Sequence, residues 1–369
     1  MQDNKPIRVL QMTASLFRGG SQNMIVNLYK AIDKNKIQFD FIVDHPELND
    51  LQETVESLGA KVYVMPKFKG SNLSEVKKAW NDFFVEHPEY KIIHSHSRSY
   101  ASIYLKIAKK YGLKTIIHSH NTSNGKGLKA KIKDSLQYNL RNVADYFIGC
   151  SLNAGKWLFG ENIVNSDRFF ILNNAIDASK FKFESSIREE YRKQLGIENN
   201  KVYIQVGEFN EQKNHKFTIE LFSKLIEKEK NAILLLVGTG EYFDSIKKLT
   251  NELGLSDKVM FLGRRDDVNK LLMASDCYLM PSNFEGLSLA AIEAQASGIK
   301  CLLSDKVSKD VNITDNCEFL SLDIDTWINV CINLDSSRKE TYNQIVNMGY
   351  DVNSTAKWLE DFYLSIINK

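Results

Sequence analysis

Two glutamates eight residues apart, Glu285 and Glu293, have the spacing to hold two hydroxyl-bearing groups of one substrate. The apolar run Cys277–Met280 comes before them and is typical of a buried strand, and a Pro-Ser turn follows it. The next residues are good helix formers, which predicts a helix beginning near Leu287. Glu285 is then expected in the loop at the strand's carboxyl end and Glu293 inside the helix, with their carboxylates roughly 9–12 Å apart.

The residues that follow Glu285, namely Gly286, Leu287 and Ser288, fall at the predicted start of this helix. Backbone N–H groups there have no partner within the helix and attract anions. Carboxylates on both sides of an anion-binding turn are what a nucleotide-sugar site requires. Glutamates with this spacing also occur on solvated helix surfaces, but Glu293 has Leu, Ala and Ile neighbours and therefore needs a partner or a ligand.

The composition is that of an ordinary globular protein large enough for two domains, with 369 residues, 43% hydrophobic and 25% charged. The net charge of +2 gives no indication of nucleic-acid binding. Five scattered cysteines without a Cys-x-x-Cys pair are typical of a reducing compartment. The sequence shows no signal-peptide pattern and no apolar run long enough to span a bilayer, so a cytoplasmic protein is expected.

Short β-rich runs alternate with helical patterns, such as the amphipathic segments Leu73–Phe84 and Ala101–Tyr111. The predicted strands are Ile7–Met12, Phe39–Val43, Lys61–Val64, Lys91–His94, Lys114–His118, Tyr146–Cys150, Lys201–Val206, Ala232–Val237, Lys258–Leu262, Cys277–Met280 and Lys300–Leu303. This alternation predicts an α/β protein with two Rossmann-like domains, whose parallel sheets carry ligand-binding loops at the carboxyl ends of their strands and face a shared cleft. The polar segment Asp177–Asn200 is the expected boundary, which gives domains of residues 1–177 and 178–350 and a C-terminal helix over 351–369.

The loop after the first predicted strand contains Gly19 and Gly20, which allow close approach of the backbone to a ligand before the next helix. It lacks the Gly-x-Gly-x-x-Gly fingerprint of dinucleotide-binding proteins. The glycine pair alone is equally consistent with a flexible loop that hinges there.

Four of the seven histidines fall at two strand ends, in His94-Ser95-His96 and His118-Ser119-His120. Imidazoles at such positions donate hydrogen bonds to sugar or phosphate oxygens, which is the favoured interpretation. A purely structural role comes second. A metal site comes last, because the carboxylates and further ligands that a zinc site needs are not clustered with these residues in the sequence.

In the second half, Lys213 stands in a loop between a strand and a helix, where a cation for a phosphate group is expected. Gly207 ends the strand before this loop. Gly263 and Arg264 follow another strand, and the Arg264 guanidinium could stack on or flank a base. The alternative for Lys213 is an ordinary surface lysine, and the neighbouring Arg265 is expected to pair with Asp266 or Asp267 on the surface.

A basic stretch, Lys126–Lys133, alternates lysines with small or apolar residues and runs into a predicted helix. Such a helix can lie on an anionic membrane surface, while a solvated lysine face is the commoner alternative. The expectation for this stretch is peripheral contact with the inner face of the plasma membrane.

Taken together, these motifs resemble the retaining glycosyltransferases of family four, which have the GT-B fold, and the resemblance covers nearly the whole chain. Its most specific part is the Glu-x7-Glu pattern from Glu285 to Glu293. The supporting segments are Gly19-Gly20, His118-Ser119-His120-Asn121, Cys150-Ser151, Asn173–Asp177, Glu211–His215, Gly238–Glu241 and Phe261–Arg264. The closest likeness is to bacterial exopolysaccharide and capsule enzymes, and the segment Tyr350–Asn368 resembles the GT-B end helix that returns to the first domain.

The resemblance implies a role for each matching residue near the glutamates. Glu293 would bind the ribose hydroxyls of the donor, and Glu285 would contact hydroxyls of the donor sugar. The amides of Gly286, Leu287 and Ser288 would lie near the sugar and the phosphates.

The resemblance also implies roles for the neighbouring loops. Lys213, in the loop that begins at Gly207, would neutralise the departing diphosphate. The turn at Gly263 and Arg264 would hold the base.

In the first domain, the resemblance implies that Gly19 and Gly20 approach the diphosphate or the acceptor. His118 or His120 would lie beside the reacting sugar. The repeat of His-Ser-His leaves open which of the two it is.

The family implies transfer of a sugar from a nucleotide diphosphate sugar, expected to be UDP-linked, to a glycan or lipid-linked acceptor with retention at the anomeric carbon. Such an enzyme would be a hexosyl- or N-acetylhexosaminyltransferase. It would need no metal or other cofactor, because Lys213 and helix N-termini supply the positive charge. The alternatives are a sugar-nucleotide epimerase, against which the Glu-x7-Glu pattern argues, and a non-catalytic partner subunit that keeps the donor fold.

The chain departs from the family pattern at Glu208, where an arginine that assists the lysine is common. A carboxylate beside a diphosphate is repulsive by about 1–4 kcal/mol at a distance of roughly 4 Å, depending on the effective dielectric constant. Three explanations are open. The side chain points away, another cation such as Arg18 or Arg264 compensates, or stabilisation of the leaving group is impaired.

Overall fold

The computed structural model describes residues 5–17, 19–121 and 137–367. Arg18 and the basic stretch Lys126–Lys133 lie outside these described residues. The chain divides into two compact units. The first unit joins Met1–Ala175 to the C-terminal segment Val352–Lys369, and the second is the continuous segment Ile176–Asp351.

Each unit is built on one parallel sheet, which confirms the prediction of two Rossmann-like domains. The strands of the first sheet are β1 (Ile7–Met12), β2 (Ile37–Val43), β3 (Val62–Val64), β4 (Ile92–Ser95), β5 (Lys114–Ser119), β6 (Tyr146–Gly149) and β7 (Phe169–Ile171). Those of the second are β8 (Lys201–Val206), β9 (Ala232–Val237), β10 (Val259–Gly263), β11 (Cys277–Met280), β12 (Lys300–Ser304) and β13 (Cys317–Leu320).

The strand orders are β3-β2-β1-β4-β5-β6-β7 and β10-β9-β8-β11-β12-β13. In each sheet the order reverses beside the first strand of the unit, between β1 and β4 and between β8 and β11. Loops at such a reversal form the ligand-binding crevice of open α/β sheets. The loops after β1, β4, β8 and β11 therefore carry the residues of most interest.

The helices cover the faces of these sheets. In the first unit they are α1 (Gly20–Ala31), α2 (Gln52–Ser57), α3 (Leu73–Glu86), α4 (Ala101–Lys110), α5 (Leu152–Phe159), α6 (Glu161–Val164) and α15 (Val352–Ile367). In the second they are α7 (Ala178–Phe181), α8 (Ser185–Leu195), α9 (His215–Lys228), α10 (Phe243–Glu252), α11 (Val268–Ala274), α12 (Leu289–Ala296), α13 (Ile324–Ile332) and α14 (Tyr342–Asn347). Within the described part of the chain, no helix combines the length and the apolar character needed to cross a bilayer.

The structure differs from the sequence prediction at two kinds of segment. Strands β7 and β13 were not predicted; both are short edge strands whose side chains are mostly only partly buried, so their hydrophobic pattern is weak. The polar segment Asp177–Asn200 carries α7 and α8 of the second unit. Arg188 and Arg192, one turn apart on α8, both bind the Asp276 carboxylate, at 2.5 and 3.3 Å, so ion pairs help to hold a helix that has little apolar surface.

Helix α15, the last element of the chain, belongs to the core of the first unit. Leu359, Phe362 and Tyr363 are buried in the cluster that also contains the apolar faces of α1 and β1. The rings of Trp358 and Phe362 stack with their centroids 5.3 Å apart. This segment is the one that the sequence analysis compared to the GT-B end helix, and removing it would expose the core under it.

The chain enters and leaves the second unit at adjacent points. Ile176 forms an isolated parallel bridge with Asp351, and its backbone N–H donates to the Tyr350 carbonyl at 2.9 Å. Two residues after Ile176, the Ala178 N–H donates to the Asp351 carboxylate at 3.3 Å. The two ends of this inserted segment are therefore fastened to each other.

Candidate functional site

Three loops at the carboxyl ends of β8, β9 and β10 are joined by backbone hydrogen bonds. The Gly207 N–H donates to the Val237 carbonyl at 2.9 Å, and the Gly238 N–H donates to the Gly263 carbonyl at 2.8 Å. A Cβ atom on Gly238 would lie 1.9 Å from the Gly207 carbonyl oxygen, so this approach requires glycine. The three loops are thus held together as one group, the β8–β10 loop group, beside the point where the sheet order reverses.

Lys213 is positioned by its own backbone and by the absence of a side chain at Gly207. Its N–H donates to the Asn210 side-chain oxygen at 3.1 Å, and its carbonyl accepts from the Gln205 amide at 2.8 Å. A Cβ atom on Gly207 would lie 3.2 Å from three methylene carbons of Lys213. Gly207 therefore leaves the space through which the lysine stem reaches the site.

The Lys213 ammonium forms an ion pair with the Glu285 carboxylate. Both side chains are largely shielded from solvent, with 15% and 13% of their surfaces exposed. Shielding strengthens such a pair relative to one on an open surface. The backbone of Glu285 is held in a bridge to Val307, and the Ser308 N–H donates to its carbonyl at 3.0 Å.

Two asparagines that sequence reasoning missed bind the Lys213 loop to the Glu285 loop. Asn214 adopts a left-handed conformation with φ of 53°, and its side chain donates to the Pro281 carbonyl at 3.1 Å. Asn283 donates from its backbone to Gln212 at 2.9 Å and from its side chain to the Glu211 carbonyl at 2.7 Å. Asparagine is the non-glycine residue best suited to a left-handed turn, and that was the available signal for Asn214.

Helix α12 begins at Leu289 with Ser288 as its N-cap, two residues later than predicted. Among the hydrogen bonds between described residues, none starts from a backbone N–H in the run from Gly286 to Ala291. Gly286 is exposed, Leu287 is partly exposed and Ser288 is buried. A row of unused N–H groups at a helix N-terminus is a binding site for an anion.

Glu293 lies on α12, one turn inside the helix, and is partly buried. Burial raises the pKa of its carboxyl group from 4.5 to about 7. No ion pair or hydrogen bond joins this carboxylate to another residue in the part of the chain that the structure describes. The sequence indicated that Glu293 needs a protein partner or a ligand. Because the described residues supply no protein partner, a ligand is the expected partner.

His215, which follows Asn214, was also missed by sequence reasoning. Its ring stacks on Phe209 with centroids 3.9 Å apart, and neither ring nitrogen has a partner among the described residues. Burial, with a smaller contribution from the Lys213 charge, lowers the pKa of His215 to about 3. The neutral ring therefore adds no charge beneath the lysine.

Glu208 and Arg264, in the loops after β8 and β10, are both exposed. The Glu208 carboxylate accepts from the Asn210 side-chain amide at 3.3 Å, and the described part of the chain shows no ion pair between it and Lys213. Arg264 has no ion-pair partner among the described residues, while Arg265 binds Asp267 at 2.6 and 2.7 Å. Arg264 is thus the arginine of the two that is available to a ligand.

Gly19 and Gly20 belong to the first unit, where they begin α1 after β1. Gly19 is the N-cap with extended backbone, and its carbonyl accepts from the Asn23 N–H at 2.9 Å. A Cβ atom on Gly20 would meet nothing within 4 Å, so the backbone at this helix start is open to an approaching group.

The four strand-end histidines come together on one face of the first sheet. The rings of His118 and His120 stack with centroids 4.0 Å apart, and those of His94 and His96 with centroids 4.4 Å apart. His118 is fully buried and His120 keeps some exposure. Of the two, His120 is thus the residue with surface exposed to solvent.

Burial also decides the charge of this cluster. Removal from water lowers the pKa of His94 and of His120 to about 3, and it lowers the pKa values of His96 and His118 well below their usual range. All four imidazoles are therefore neutral at physiological pH. Neutral rings can accept a hydrogen bond or coordinate a metal ion, and they do not supply positive charge to a phosphate.

Two family models match the chain. Residues 18–180 match Glycosyltransferase Family 4, and residues 187–316 match Glycosyl transferases group 1. The two matches cover most of the first unit and most of the second.

Among curated proteins, EpsF of Bacillus subtilis (strain 168), named as a glycosyltransferase, is 30% identical over 310 residues, which cover 83% of this chain and 81% of EpsF. The UDP-Gal:alpha-D-GlcNAc-diphosphoundecaprenol alpha-1,3-galactosyltransferase of Escherichia coli is 24% identical over 302 residues, 76% of this chain and 77% of that protein. Among solved structures, HepE of Anabaena in complex with UDP aligns with a TM-score of 0.77 at 17% identity, covering 98% of this chain and 100% of HepE. The chain therefore belongs to glycosyltransferase family 4, with the two Rossmann-like domains of the GT-B fold, and is a glycosyltransferase.

Proposed function

We propose that this glycosyltransferase takes a sugar from a nucleotide diphosphate sugar, with UDP as the nucleotide, and transfers it to a glycan or lipid-linked acceptor in bacterial exopolysaccharide or capsule biosynthesis. One observation carries the proposal. The ion pair of Lys213 and Glu285 stands directly before the unused backbone N–H groups from Gly286 to Ala291. A cation from the loop after β8 is thereby joined to a carboxylate and a helix start in the loop after β11.

The diphosphate is the group that this arrangement would stabilise. Negative charge develops on it when the bond to the sugar breaks, and preorganised donors at that position lower the barrier. The Lys213 ammonium and the N–H groups before α12 are such donors. In the free protein, the Glu285 carboxylate holds the Lys213 ammonium in place. When the donor is bound, the ammonium would contact both the Glu285 carboxylate and the diphosphate.

Glu293 is proposed to bind the ribose hydroxyls. A carboxylate without a protein partner can accept hydrogen bonds from two neighbouring hydroxyl groups. Such bonds favour the ionised form, so the donor would bring the raised pKa of Glu293 back towards its ordinary value. Gly263 and Arg264 are proposed to flank the base, because Arg264 is exposed and has no ion-pair partner among the described residues.

UDP is the proposed nucleotide for two reasons. The structurally similar HepE is described in complex with UDP, and the name of the Escherichia coli relative gives UDP-Gal as its donor. The same name gives a diphosphoundecaprenol-linked sugar as acceptor, which supports a lipid-linked acceptor here. The stretch Lys126–Lys133 is the proposed contact with the cytoplasmic face of the membrane where such acceptors reside.

Retention at the anomeric carbon and independence from metal at the diphosphate are parts of this proposal that come from the family resemblance. On this view Lys213 and the helix N-terminus replace the divalent cation that other transferases use. In the first unit, Gly19 and Gly20 are proposed to border the acceptor or the diphosphate, and His120 to lie near the reacting sugar.

A non-catalytic subunit is the second candidate, because Glu208 occupies the place of the family arginine. The structure shows Glu208 exposed and bound to Asn210, and among described residues its carboxylate forms no ion pair with Lys213. This geometry favours a catalytic enzyme over an inert subunit, because the Glu208 carboxylate does not pair with the Lys213 ammonium. Release of UDP by the purified chain alone separates the two candidates.

A thermal-shift panel of nucleotides and nucleotide sugars tests the proposal first, because a ligand that binds the native state stabilises it in proportion to its affinity and concentration. UDP and at least one UDP-sugar are expected to raise the melting temperature, with CMP and ADP as comparisons. The stabilising UDP-sugar is then incubated with lipid-linked acceptors and the product identified. A new α-linkage supports transfer with retention, whereas an isomerised UDP-sugar without a new linkage would establish the epimerase alternative.

A further inference from the structure

The cluster of His94, His96, His118 and His120 contains ring nitrogens that the protein leaves unused. His118 is fully buried and neither of its ring nitrogens has a hydrogen-bond partner among the described residues. The same holds for His94 Nε2 and His120 Nδ1. Buried polar atoms are nearly always satisfied by protein, water or an ion, so four unsatisfied atoms in one cluster indicate a missing partner.

Two neighbouring side chains, Gln11 and Tyr363, each occupy one nitrogen of one of these rings. His96 Nε2 lies 2.9 Å from the Gln11 side-chain carbonyl, which can only accept, so Nε2 carries the proton and Nδ1 presents a lone pair. His94 Nδ1 lies 2.7 Å from the Tyr363 hydroxyl, which leaves Nε2 as the unsatisfied atom. The Gln11 amide in turn donates to Tyr363 at 3.2 Å. Histidines that bind metals are held in this way, with one nitrogen on a protein oxygen and the other on the ion.

Three of the rings lie close enough together for one ion to bind them after a rearrangement. One nitrogen from each of His94, His96 and His118 lies within 4.8 Å of the other two. In a tetrahedral zinc site with bonds of about 2.0–2.1 Å the nitrogens are roughly 3.4 Å apart, so the rings would move inwards by about an ångström. His96 Nδ1 lies 2.8 Å from His120 Nε2, and this hydrogen bond has to break when Nδ1 binds the ion.

The surroundings decide between an ion and a sugar. His94 and His118 are 1% and 0% exposed, which leaves no space for a sugar ring beside them. A set of imidazole ligands without sulfur is typical of Zn²⁺, Cu²⁺ or Ni²⁺, and Mg²⁺ prefers oxygen.

We propose that His94, His96 and His118, at the ends of β4 and β5, form a binding site for one transition-metal dication, Zn²⁺ in the first place, with Gln11 and Tyr363 as the residues that orient His96 and His94. The ion links β4 to β5. Through Gln11 and Tyr363 it also links them to β1 and α15, so it stabilises the fold of the first unit. This site is independent of the donor site in the second unit, and neither proposal depends on the other.

The test uses the full chain, stripped of metal with a chelator and then titrated with Zn²⁺ in a calorimeter and with Co²⁺ in a spectrophotometer. One Zn²⁺ per chain is expected to bind, the melting temperature is expected to rise, and Co²⁺ is expected to give the visible absorption of a tetrahedral complex. His118→Gln should lose this binding, while His87→Gln, which changes a histidine of the same unit that binds Glu89 at 3.2 Å, should keep it.

Tyr363→Phe is the second variant, because it keeps the buried ring and removes only the hydroxyl that orients His94. Loss of such an orienting group is expected to weaken Zn²⁺ binding about 10- to 100-fold. It also decides the question if His118→Gln does not fold. Two results would overturn the proposal: wild-type protein that binds no stoichiometric Zn²⁺, or Tyr363→Phe and His118→Gln variants that bind Zn²⁺ as tightly as wild type. Either result would leave a buried water as the partner of these rings.

Discussion

The ammonium of Lys213 and the carboxylate of Glu285 form an ion pair across 72 residues of sequence, between the loop after β8 and the loop after β11. These two strands are neighbours at the point where the order of the second sheet reverses. The pair therefore stands where open α/β sheets bind their ligands, and the proposed donor site depends on it.

Replacing Lys213 with methionine, which keeps the apolar stem and removes the charge, is expected to lower kcat about 10²- to 10³-fold, the usual loss when one preorganised charge-stabilising group is removed. Initial rates of UDP release measure the change. Lys216→Met is the control, because Lys216 is exposed on the following helix and pairs only loosely with Glu220 at 3.7 Å. Equal losses in both variants would contradict a specific role for Lys213. Lys213→Met and Glu285→Gln together should lose less than the sum of the two, because they break one pair.

Replacing Glu293 with glutamine is expected to weaken donor binding through the ribose. The comparison of UDP with 2′,3′-dideoxy-UDP isolates this contact: wild type should prefer UDP by roughly 10-fold or more, the worth of one or two charge-assisted hydrogen bonds. Glu293→Gln should reduce that preference, and Glu252→Gln on an exposed helix end should keep it. An undiminished preference in Glu293→Gln would place the ribose elsewhere.

The raised pKa of Glu293 also predicts how stability depends on pH. The folded protein holds this proton up to about pH 7, whereas the group titrates near 4.5 when unfolded. The folded state therefore binds more protons between these values, and the free energy of unfolding falls as pH rises through this window, by about 3 kcal/mol in total. Urea unfolding of wild type and Glu293→Gln should agree near pH 4.5 and diverge towards pH 8, with the variant the more stable. Parallel curves at all pH values would show that the carboxyl group has its ordinary pKa.

Replacing Glu208 with arginine is expected to raise turnover if the carboxylate weakens stabilisation of the diphosphate. Because Glu208 is exposed, solvent screens its charge, and an increase of only about 2- to 5-fold is expected, larger at low salt. Glu252→Arg carries the same change of charge at a distant exposed site and should leave turnover unchanged. Turnover of Glu208→Arg at or below that of wild type would contradict the hypothesis that the Glu208 carboxylate lowers turnover.

Replacing Gly238 with alanine is expected to destabilise the second unit by about 3 kcal/mol or more, because the added Cβ would lie 1.9 Å from the Gly207 carbonyl oxygen. Gly254→Ala is the matched control. It has a left-handed φ of 69° but open space around it, so only the backbone strain of about 1 kcal/mol is expected. Urea unfolding measures both, and similar losses would show that the loops move apart at little cost.

Replacing Lys129, Lys131 and Lys133 with serine is expected to weaken binding to anionic liposomes, with roughly 1 kcal/mol lost per lysine near the membrane surface. Flotation with phosphatidylglycerol vesicles measures binding, and uncharged vesicles serve as the comparison. Unchanged binding by the triple variant would mean that this stretch is not the contact.

The sequence located Glu285 and Glu293 correctly on their loop and helix, because a strand, a turn and a helix of good formers are local patterns. It also placed nearly all strands, since parallel strands buried on both faces are continuous apolar runs such as β9. The edge strands β7 and β13, of three and four residues, were missed, although the partly exposed edge strands β3 and β10 were predicted.

Contacts across the sheet could not be predicted in the same way. The His-Ser-His repeats were visible, but their approach depends on β4 and β5 being neighbours with the histidines on one face. The hydroxyl that binds His94 comes from Tyr363, 269 residues away. The Asn214 and Asn283 hydrogen bonds likewise became apparent only when both loops were in place.

The return of α15 to the first unit has a consequence for biosynthesis. Residues Ile176–Asp351 leave the ribosome as one uninterrupted segment whose ends are already fastened together by Ile176 and Asp351. The first unit, although its strands are made first, lacks Leu359, Phe362 and Tyr363 until the whole second unit has been synthesised. The unit that is begun first can therefore finish folding only after the second unit has been made, and its unfinished apolar face is the surface that a chaperone would have to protect in the meantime.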